Sequence, residues 1–296
     1  MTGLEQRLGL APGARVAILH VDDVGMCHGA NVAFLELARA GFVDTGSVMV
    51  PCPWFPEIAA AAARDPALDL GVHLTLTSEW AGYRWRPIST ASPSSGLIDA
   101  DGYFPRDCLA LRTTLVPEAA EIEMRAQIDR ALEAGIDATH LDTHMGAALI
   151  PELLDVTLRL ARDYRLPLLL PRDVHSYAAV LRLGEIDPSR YTRAVEGLAA
   201  GDLPIVDHFR MTPGVPSAEA ERAYRRLLTG ILPGVTFMSL HCNVPGDIET
   251  IVPSRAHWRT DEYALFSRGA VHQWLNREGI VTAGFKEIRE MWRSRS

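Results

Sequence analysis

The segment AILHVDDVGMCHGAN, residues 17–31, places two adjacent aspartates, Asp22 and Asp23, at the end of an apolar run. Adjacent residues of a strand point to opposite faces, so the two carboxylates could act differently. One could bind a cation while the other accepts a proton beside it. The same residues could instead form a loop and the N-cap of the following helix, and this segment alone leaves both interpretations open.

Ionisable residues also follow the other apolar runs of the chain. In a parallel α/β barrel the carboxyl ends of the strands form one rim, where the active site lies. A single histidine at this rim is more often structural than functional. Packing alone, however, does not readily explain why so many strands end in ionisable residues. The residues concerned are His73 in GVHLTLT, His140, Asp142 and His144 in THLDTHMG, Arg172 with Asp173, Asp207 with His208, and His241.

These residue types can support metal-assisted hydrolysis. An aspartate and two histidines from three strands would form a three-ligand set that leaves open positions for water and substrate. A divalent ion held in this way polarises a carbonyl group and activates water at neutral pH. A free carboxylate beside the ion can act as general base, and a distant histidine can act as acid. No HExxH helix or GxSxG elbow is present, which disfavours zinc-peptidase and serine-hydrolase mechanisms.

The elements that would position these residues alternate along the chain. Short apolar runs are separated by segments with helical spacing of apolar residues. This pattern predicts an α/β fold over residues 1–296 as one domain, most simply a TIM-like (β/α) barrel of seven or eight strands. A doubly wound open sheet is the alternative, although no GxGxxG follows the first strand. The predicted strands are 15–19, 46–50, 68–76, 139–142, 166–170, 204–207, 234–240 and 279–283, and the clearest helices are 30–41, 117–135 and 151–164.

One long segment, residues 78–116, has neither a strand pattern nor a helical pattern over most of its length. Loops of this length are uncommon in compact domains and are often functional. The segment is rich in aromatic residues, and Trp80 and Trp85 are candidates for stacking against a sugar ring. The alternative is that these rings only anchor the loop.

Composition excludes several classes of protein. The net charge of −8 and the lack of a basic run argue against a nucleic-acid partner. No apolar run approaches the roughly 20 residues needed to span a bilayer, and the first residues do not resemble a signal peptide. The four scattered cysteines suit reduced thiols in a cytoplasmic protein better than a disulfide framework. A homodimer is expected only because dimers are the commonest oligomers of soluble proteins.

Four motifs together, HVDDVGMCHGAN, GVHLTLTSEW, THLDTHMG and SLHCNVPGD, resemble those of the YdjC-like carbohydrate deacetylase family. The resemblance covers roughly residues 14–285, and the first two motifs are the more specific ones. The family is similar to the wider polysaccharide deacetylases, which implies a barrel-like (β/α) fold and an Asp-His-His metal site. By position, the resemblance implies Asp23, His73 and His144 as ligands of one divalent ion, either Zn²⁺ or Mg²⁺.

The same resemblance implies Asp22 as the base and His241 as the acid. The sequence differs from the family pattern at two places, and both differences weaken the assignment of these roles. Met145 and the residues after it replace the further histidines that often continue the fourth motif, and Cys242, Asn243 and Val244 separate His241 from Pro245. His140 also lies close to His144 on the same predicted strand. Candidates for substrate binding are Arg172, which could equally form a surface ion pair, and His140, Asp142, Trp80 and Trp85.

These patterns lead to the expectation of a metal-dependent hydrolase that removes an N-acetyl group from a small acetylated amino sugar or glycolipid. A barrel metallohydrolase that acts on another amide or on a phosphoester is one alternative. A sugar-binding homologue that has lost catalysis is another. Asp207 and His208 have no assigned role and are expected to form a salt bridge at a strand end.

Overall fold

The computed structural model describes residues 3–181, 183–200 and 203–294. Within them, seven parallel strands form one curled sheet in the order β4-β3-β2-β1-β6-β5, and β7 pairs with the first half of β1. The strands are β1 Arg15–Val24, β2 Thr45–Val48, β3 Leu70–Leu74, β4 Leu141–Thr143, β5 His208–Met211, β6 Gly234–Leu240 and β7 Val281–Thr282.

Helices connect the strands and cover the sheet. They are α1 Leu4–Arg7, α2 His28–Arg39, α3 Phe55–Arg64, α4 Cys108–Thr114, α5 Pro117–Glu133, α6 Leu154–Asp163, α7 Val174–Leu181, α8 Pro188–Ala200, α9 Ser217–Thr229, α10 Ile248–Ile251, α11 Ala256–Phe266, α12 Ala270–Arg277 and α13 Phe285–Arg293. Among the helices described, none is long and apolar enough to cross a membrane. The four cysteines are free and buried, as the sequence predicts.

The centre of the sheet is the long strand β1, which pairs with β6 from Arg15 to Val21. Its side chains from Val16 to Val21 are completely buried. The strands of a parallel sheet are covered on both faces, so they are apolar along their whole length. This explains the continuous apolar runs in the sequence. The predicted helices 30–41, 117–135 and 151–164 correspond to α2, α5 and α6, with ends shifted by at most three residues.

The parallel α/β fold is confirmed, and the described residues form a curled half-barrel, consistent with a TIM-like barrel that is not closed. Residues 166–170 contribute one bridge, Leu141 to Leu168, and residues 204–207 precede β5 without joining the sheet as a strand. A further hydrogen bond runs from the Arg172 backbone N–H to the Val206 carbonyl oxygen. Proline lacks the N–H that a ladder needs, and these two segments contain Pro167, Pro171 and Pro204 at or next to their ends.

Segment 78–116 is mainly irregular, with a short 3₁₀ turn at Pro93–Ser95 and helix α4 near its end. It is nevertheless tied to the fold. The Trp85 ring is only 2% exposed, and its Nε1–H donates to the Thr77 carbonyl oxygen. The Glu123 carboxylate on α5 accepts hydrogen bonds from the backbone N–H groups of Ile88 and Ser89. For Trp85, therefore, anchoring of the loop is the role that the structure displays.

Candidate metal centre and active site

Three predicted ligands meet at the carboxyl end of the sheet. Asp23 lies in β1, His73 in β3 and His144 directly after β4, and one donor atom of each lies within 4.8 Å of the others. The Asp23 Oδ1 atom is 3.5 Å from His73 Nε2 and 3.1 Å from His144 Nδ1. Ligands of a tetrahedral zinc ion lie about 3.3 Å apart. We call these three residues the rim cluster.

The backbone of β1 turns Asp23 into this position. The pairing of β1 with β2 shifts register between Val21 and Val24, and Asp23 itself has φ of +60°. Aspartate tolerates this left-handed conformation better than most residues. The simple alternation of side chains therefore fails here, because Asp22 and Asp23 both reach the same site instead of opposite faces.

The hydrogen bonds of His73 direct its Nε2 lone pair into the rim cluster. Its Nδ1 atom lies 2.9 Å from Asp142 Oδ2, so Nδ1 carries the hydrogen, and the Ser47 hydroxyl donates to the same carboxylate oxygen. The Nε2 atom of His73 therefore faces the Asp23 carboxylate. When His73 is neutral both atoms are acceptors, so a cation, either a proton or a metal ion, belongs between them, and a carboxylate behind a histidine is the usual arrangement at a metal site.

His144 has the same arrangement with its nitrogens exchanged. Its Nε2 atom lies 2.9 Å from Glu79 Oε2, which leaves the Nδ1 lone pair directed at Asp23. Burial lowers the pKa of His144, but Glu79 and Asp23 outweigh burial and raise this pKa to about 9. For His73, burial is likewise outweighed by Asp142 and Asp23, and its pKa lies well above the ordinary value. Both shifts show that the carboxylates favour positive charge at this point.

The second oxygen of Asp23 binds Arg259 of α11. The Arg259 Nη2 atom lies 2.8 Å from Asp23 Oδ2, and both side chains are buried. Burial raises the pKa of Asp23, but Arg259 and the two histidines outweigh it and hold this pKa well below the usual range. Asp23 is therefore ionised, with Oδ2 held by the guanidinium and Oδ1 free to act as a ligand.

Asp22 lies beside the rim cluster and is held at both oxygens. Its Oδ1 atom is 2.7 Å from His20 Nδ1, and its Oδ2 atom accepts a 2.7 Å hydrogen bond from the Ser239 hydroxyl. The same Oδ2 atom is 3.9 Å from His241 Nε2. Asp22 and His241 are thus adjacent, and neither belongs to the three-ligand set.

His241 is oriented from behind by Thr212 and Glu262. The Thr212 Oγ1 atom lies 2.7 Å from His241 Nδ1 and 2.7 Å from Glu262 Oε1. Burial raises the pKa of Glu262 to about 7, and burial followed by Arg259 lowers the pKa of His241. The hydroxyl connects the carboxyl group to the imidazole, so that His241 directs Nε2 at Asp22.

A second group of similar residues lies beneath the first. His20, His140 and Asp142 also have donor atoms within 4.8 Å of one another, and all three are at most 1% exposed. We call them the inner cluster. His140 and Asp142 were candidates for substrate binding, but the structure buries both side chains, and Asp142 contacts the back of His73.

The remaining candidates lie at the edges of the site. Trp80 is half-buried against the core, whereas the edge of the buried Trp85 ring faces His144 at a centroid distance of 5.8 Å. Arg172 is exposed and pairs with Asp207 at 3.2 Å. This ion pair is the alternative that the sequence left open for Arg172. His208 contacts the Pro233 carbonyl oxygen instead of forming the expected salt bridge with Asp207.

Sequence reasoning missed several residues that hold the site. His20 and Ser239 precede Asp22 and His241 by two positions each, and the period of a strand could have placed each pair on one face. Glu79 is part of the quoted motif GVHLTLTSEW, but nothing local marks it as a partner of His144. Arg259 and Glu262 come from α11, which contains no motif.

Known proteins resemble this chain in sequence and in fold. A family model described as YdjC-like protein matches residues 16–277. The chain belongs to the YdjC-like family. A carbohydrate deacetylase of Thermus thermophilus is 44% identical over 171 residues, which are 58% of this chain and 59% of that protein. A carbohydrate deacetylase of Brevibacillus brevis is 36% identical over 154 residues, which are 52% of this chain and 58% of that protein.

These alignments thus span less than two thirds of the relatives' own length. The fold is similar along nearly all of the chain to a solved structure. That structure is described as a cellobiose-phosphate cleavage protein from Enterococcus faecalis, with a TM-score of 0.74 and 23% identity over 93% of this chain and 99% of that one. At this identity the likeness concerns the fold alone.

Proposed function

We propose that this YdjC-like protein is a metal-dependent carbohydrate deacetylase, which hydrolyses the N-acetyl group of a small acetylated amino sugar. The observation that carries the proposal is the convergence of three acceptor atoms in the rim cluster, from Asp23, His73 and His144. Their outer atoms are held by Arg259, Asp142 and Glu79. The names of the relatives support the reaction class.

Asp23, His73 and His144 would hold one divalent ion, with neutral imidazoles and an ionised carboxylate as donors. Two imidazoles favour zinc, whereas a carboxylate with several waters also suits magnesium. When bound, the ion supplies Lewis-acid polarisation of the acetyl carbonyl group and acidifies a water molecule. All proton transfers in the proposal involve Asp22 and His241.

Asp22 accepts the proton of the attacking water, because it is adjacent to the rim cluster and fixed at both oxygens. The C–N bond of the amide then breaks, and His241 Nε2 donates a proton to the departing amine. The products are acetate and the free amino sugar. The separation of 3.9 Å between Asp22 Oδ2 and His241 Nε2 lets both groups reach one tetrahedral centre.

Acetate release tests this proposal against its alternatives. Purified protein, loaded with Zn²⁺ or with Mg²⁺, is incubated with N-acetylglucosamine, its short β-1,4 oligomers and a chromogenic phosphoester. We expect acetate from at least one sugar, loss of activity with a chelator, and no phosphate release. Phosphate release without acetate would indicate a phosphoesterase, and binding of a sugar without either product would indicate a catalytically inactive homologue.

A further inference from the structure

The motif HVDDVGMCHGAN contains two residues, His28 and Asn31, that the proposed mechanism does not use. The Asn31 side chain is completely buried and connects two turns of the chain. Its Oδ1 atom accepts a 2.7 Å hydrogen bond from the Gly25 N–H, and its Nδ2 atom donates to the Trp54 carbonyl oxygen at 3.0 Å. The turn after Asp23 is thereby fixed to the connection between β2 and α3.

The connection between β2 and α3 lies beside the rim cluster. It follows the carboxyl end of β2, and β2 lies between β1 and β3, two strands of the rim cluster. The Trp54 N–H donates to the Gly25 carbonyl oxygen at 3.2 Å, two residues after Asp23. Burial, followed by the charges of Asp23 and Glu79, raises the pKa of Cys52, so the connection also lies in the electrostatic field of the site.

Two aromatic side chains form an exposed surface here. Trp54 is 38% exposed, whereas the other five tryptophans of the chain are buried or half-buried. The His28 ring packs on the indole with centroids 4.9 Å apart, and the His28 side chain is 51% exposed. We call Trp54 and His28 the aromatic pair. Asn31 and the backbone hold Trp54 in place, so little entropy would be lost when a ligand binds.

Hydrogen-bonding atoms border the aromatic pair. His28 Nδ1 lies 2.9 and 3.1 Å from the two carboxylate oxygens of Glu57, and Asn31 donates to Glu57 Oε2 at 2.7 Å. Nδ1 therefore carries a hydrogen, and Nε2 has no hydrogen-bond partner among the described residues. A ring surface bordered by such groups matches a sugar, which presents an apolar face of C–H groups and a periphery of hydroxyls. An apolar partner would bury His28 and Glu57 without new hydrogen bonds, which is unfavourable.

We propose that the aromatic pair is a substrate-binding subsite beside the rim cluster, where the indole of Trp54 packs on a sugar ring and His28 Nε2 binds one of its hydroxyl groups. The aromatic contact that the sequence suggested for Trp85 is then supplied by Trp54, because the Trp85 ring is buried. The inference rests on the proposed function, since it assigns the sugar of that reaction to these side chains. The metal and the proton transfers involve neither residue.

Sugar binding tests this subsite without catalysis. The full chain, with metal removed by a chelator, is titrated with N-acetylglucosamine and with its β-1,4 dimer and trimer, and calorimetry and tryptophan fluorescence are recorded. For the sugar that binds most tightly, Trp54→Ala should raise Kd about two- to tenfold, the usual strength of one aromatic contact. Trp54→Phe retains a ring and should keep most of the affinity but lose most of the fluorescence change.

Two further variants test the polar contact and the background. His28→Phe keeps a ring against Trp54 and removes Nε2, so Kd should rise about two- to tenfold, the effect of one hydrogen bond. Leu232→Ala removes an exposed side chain just before the amino end of β6, at the opposite end of the sheet, and should leave Kd unchanged. In metal-loaded protein the same variants should raise KM by the same factors with kcat unchanged, because the contacts are equal in the ground state and the transition state.

The outcomes separate this inference from the proposed function. Acetate release with Kd and KM unchanged in Trp54→Ala would overturn the subsite and leave the function. Weaker sugar binding by Trp54→Ala, without acetate from any sugar, would support the subsite and refute the reaction. No sugar binding and no acetate would refute both. A change of oligomeric state in Trp54→Ala with unchanged Kd, measured by light scattering, would assign the aromatic pair to contact with a second copy of the chain.

Discussion

The rim cluster and the inner cluster are built from nearly the same residue types at the same strands, yet they use their donor atoms differently. In the rim cluster, Glu79 and Asp142 each occupy the outer nitrogen of a histidine, and both inner nitrogens point at Asp23. In the inner cluster the two histidines, His20 and His140, face each other with their Nε2 atoms 2.9 Å apart.

This difference shows what a candidate metal site requires beyond its residue types. Three side chains whose nitrogen and oxygen atoms converge, with carboxylates behind both histidines, favour a positive charge among them, whereas two facing imidazoles can satisfy each other with one hydrogen bond. Both clusters are buried, but the rim cluster lies beside Asp22 and His241, whose side chains retain some exposure. We therefore expect metal and substrate at the rim cluster and a hydrogen-bonded pair of imidazoles at the inner one.

The largest effect that the comparison predicts lies at the junction of the two clusters. Asp22→Asn removes the proposed general base, and the loss of a general base typically lowers the rate by about 10²–10⁴-fold. The metal content should remain unchanged because the rim cluster is intact. Steady-state acetate release and elemental analysis of the same preparation measure both quantities.

Two controls accompany this variant. Asp207→Asn removes an aspartate that follows another apolar run and contacts the exposed Arg172 and the Val235 N–H, so activity should persist. Asp23→Asn should weaken metal binding, and excess metal should restore part of its activity. Rescue of Asp22→Asn by excess metal would show that the two aspartates have exchanged or shared roles.

A smaller effect is expected behind the rim cluster. Glu79→Gln keeps the size of the side chain but removes the charge that holds His144 Nε2–H, and the loss of such a partner typically lowers metal affinity by about 10–100-fold. Titration with a competing chelator measures the affinity. Glu57→Gln, which alters an exposed partner of His28, is the matched control. Equal affinities for both variants would mean that Glu79 does not orient His144.

Much of the fold follows from the apolar pattern of the sequence. Strands β1 to β4, β6 and β7 all form within or around the predicted runs, because buried parallel strands must be apolar on both faces. The failures at 166–170 and 204–207 have a local cause, since apolar runs bounded by prolines cannot complete a ladder of hydrogen bonds. Residues 166–170 and 204–207, whose sequences resemble strands, therefore leave the barrel open.

The site was only partly predictable. The motifs identified Asp22, Asp23, His73, His144 and His241, and the structure brings all five together. Alternation along a strand did not predict that both aspartates share one site, because a left-handed residue interrupts β1. Arg259 and Glu262 approach from α11, and such long-range partners leave no periodic signal in the sequence.

The central claim is that the rim cluster, and not the inner cluster, binds one divalent ion. The most direct measurement is elemental analysis of the unmodified protein, His144→Ala and His140→Met after loading with Zn²⁺ or Mg²⁺ and removal of excess metal, with circular dichroism as the check of folding. We expect one ion per chain in the unmodified protein and in His140→Met, and none in folded His144→Ala. Full metal in His144→Ala together with its loss from folded His140→Met would contradict the account.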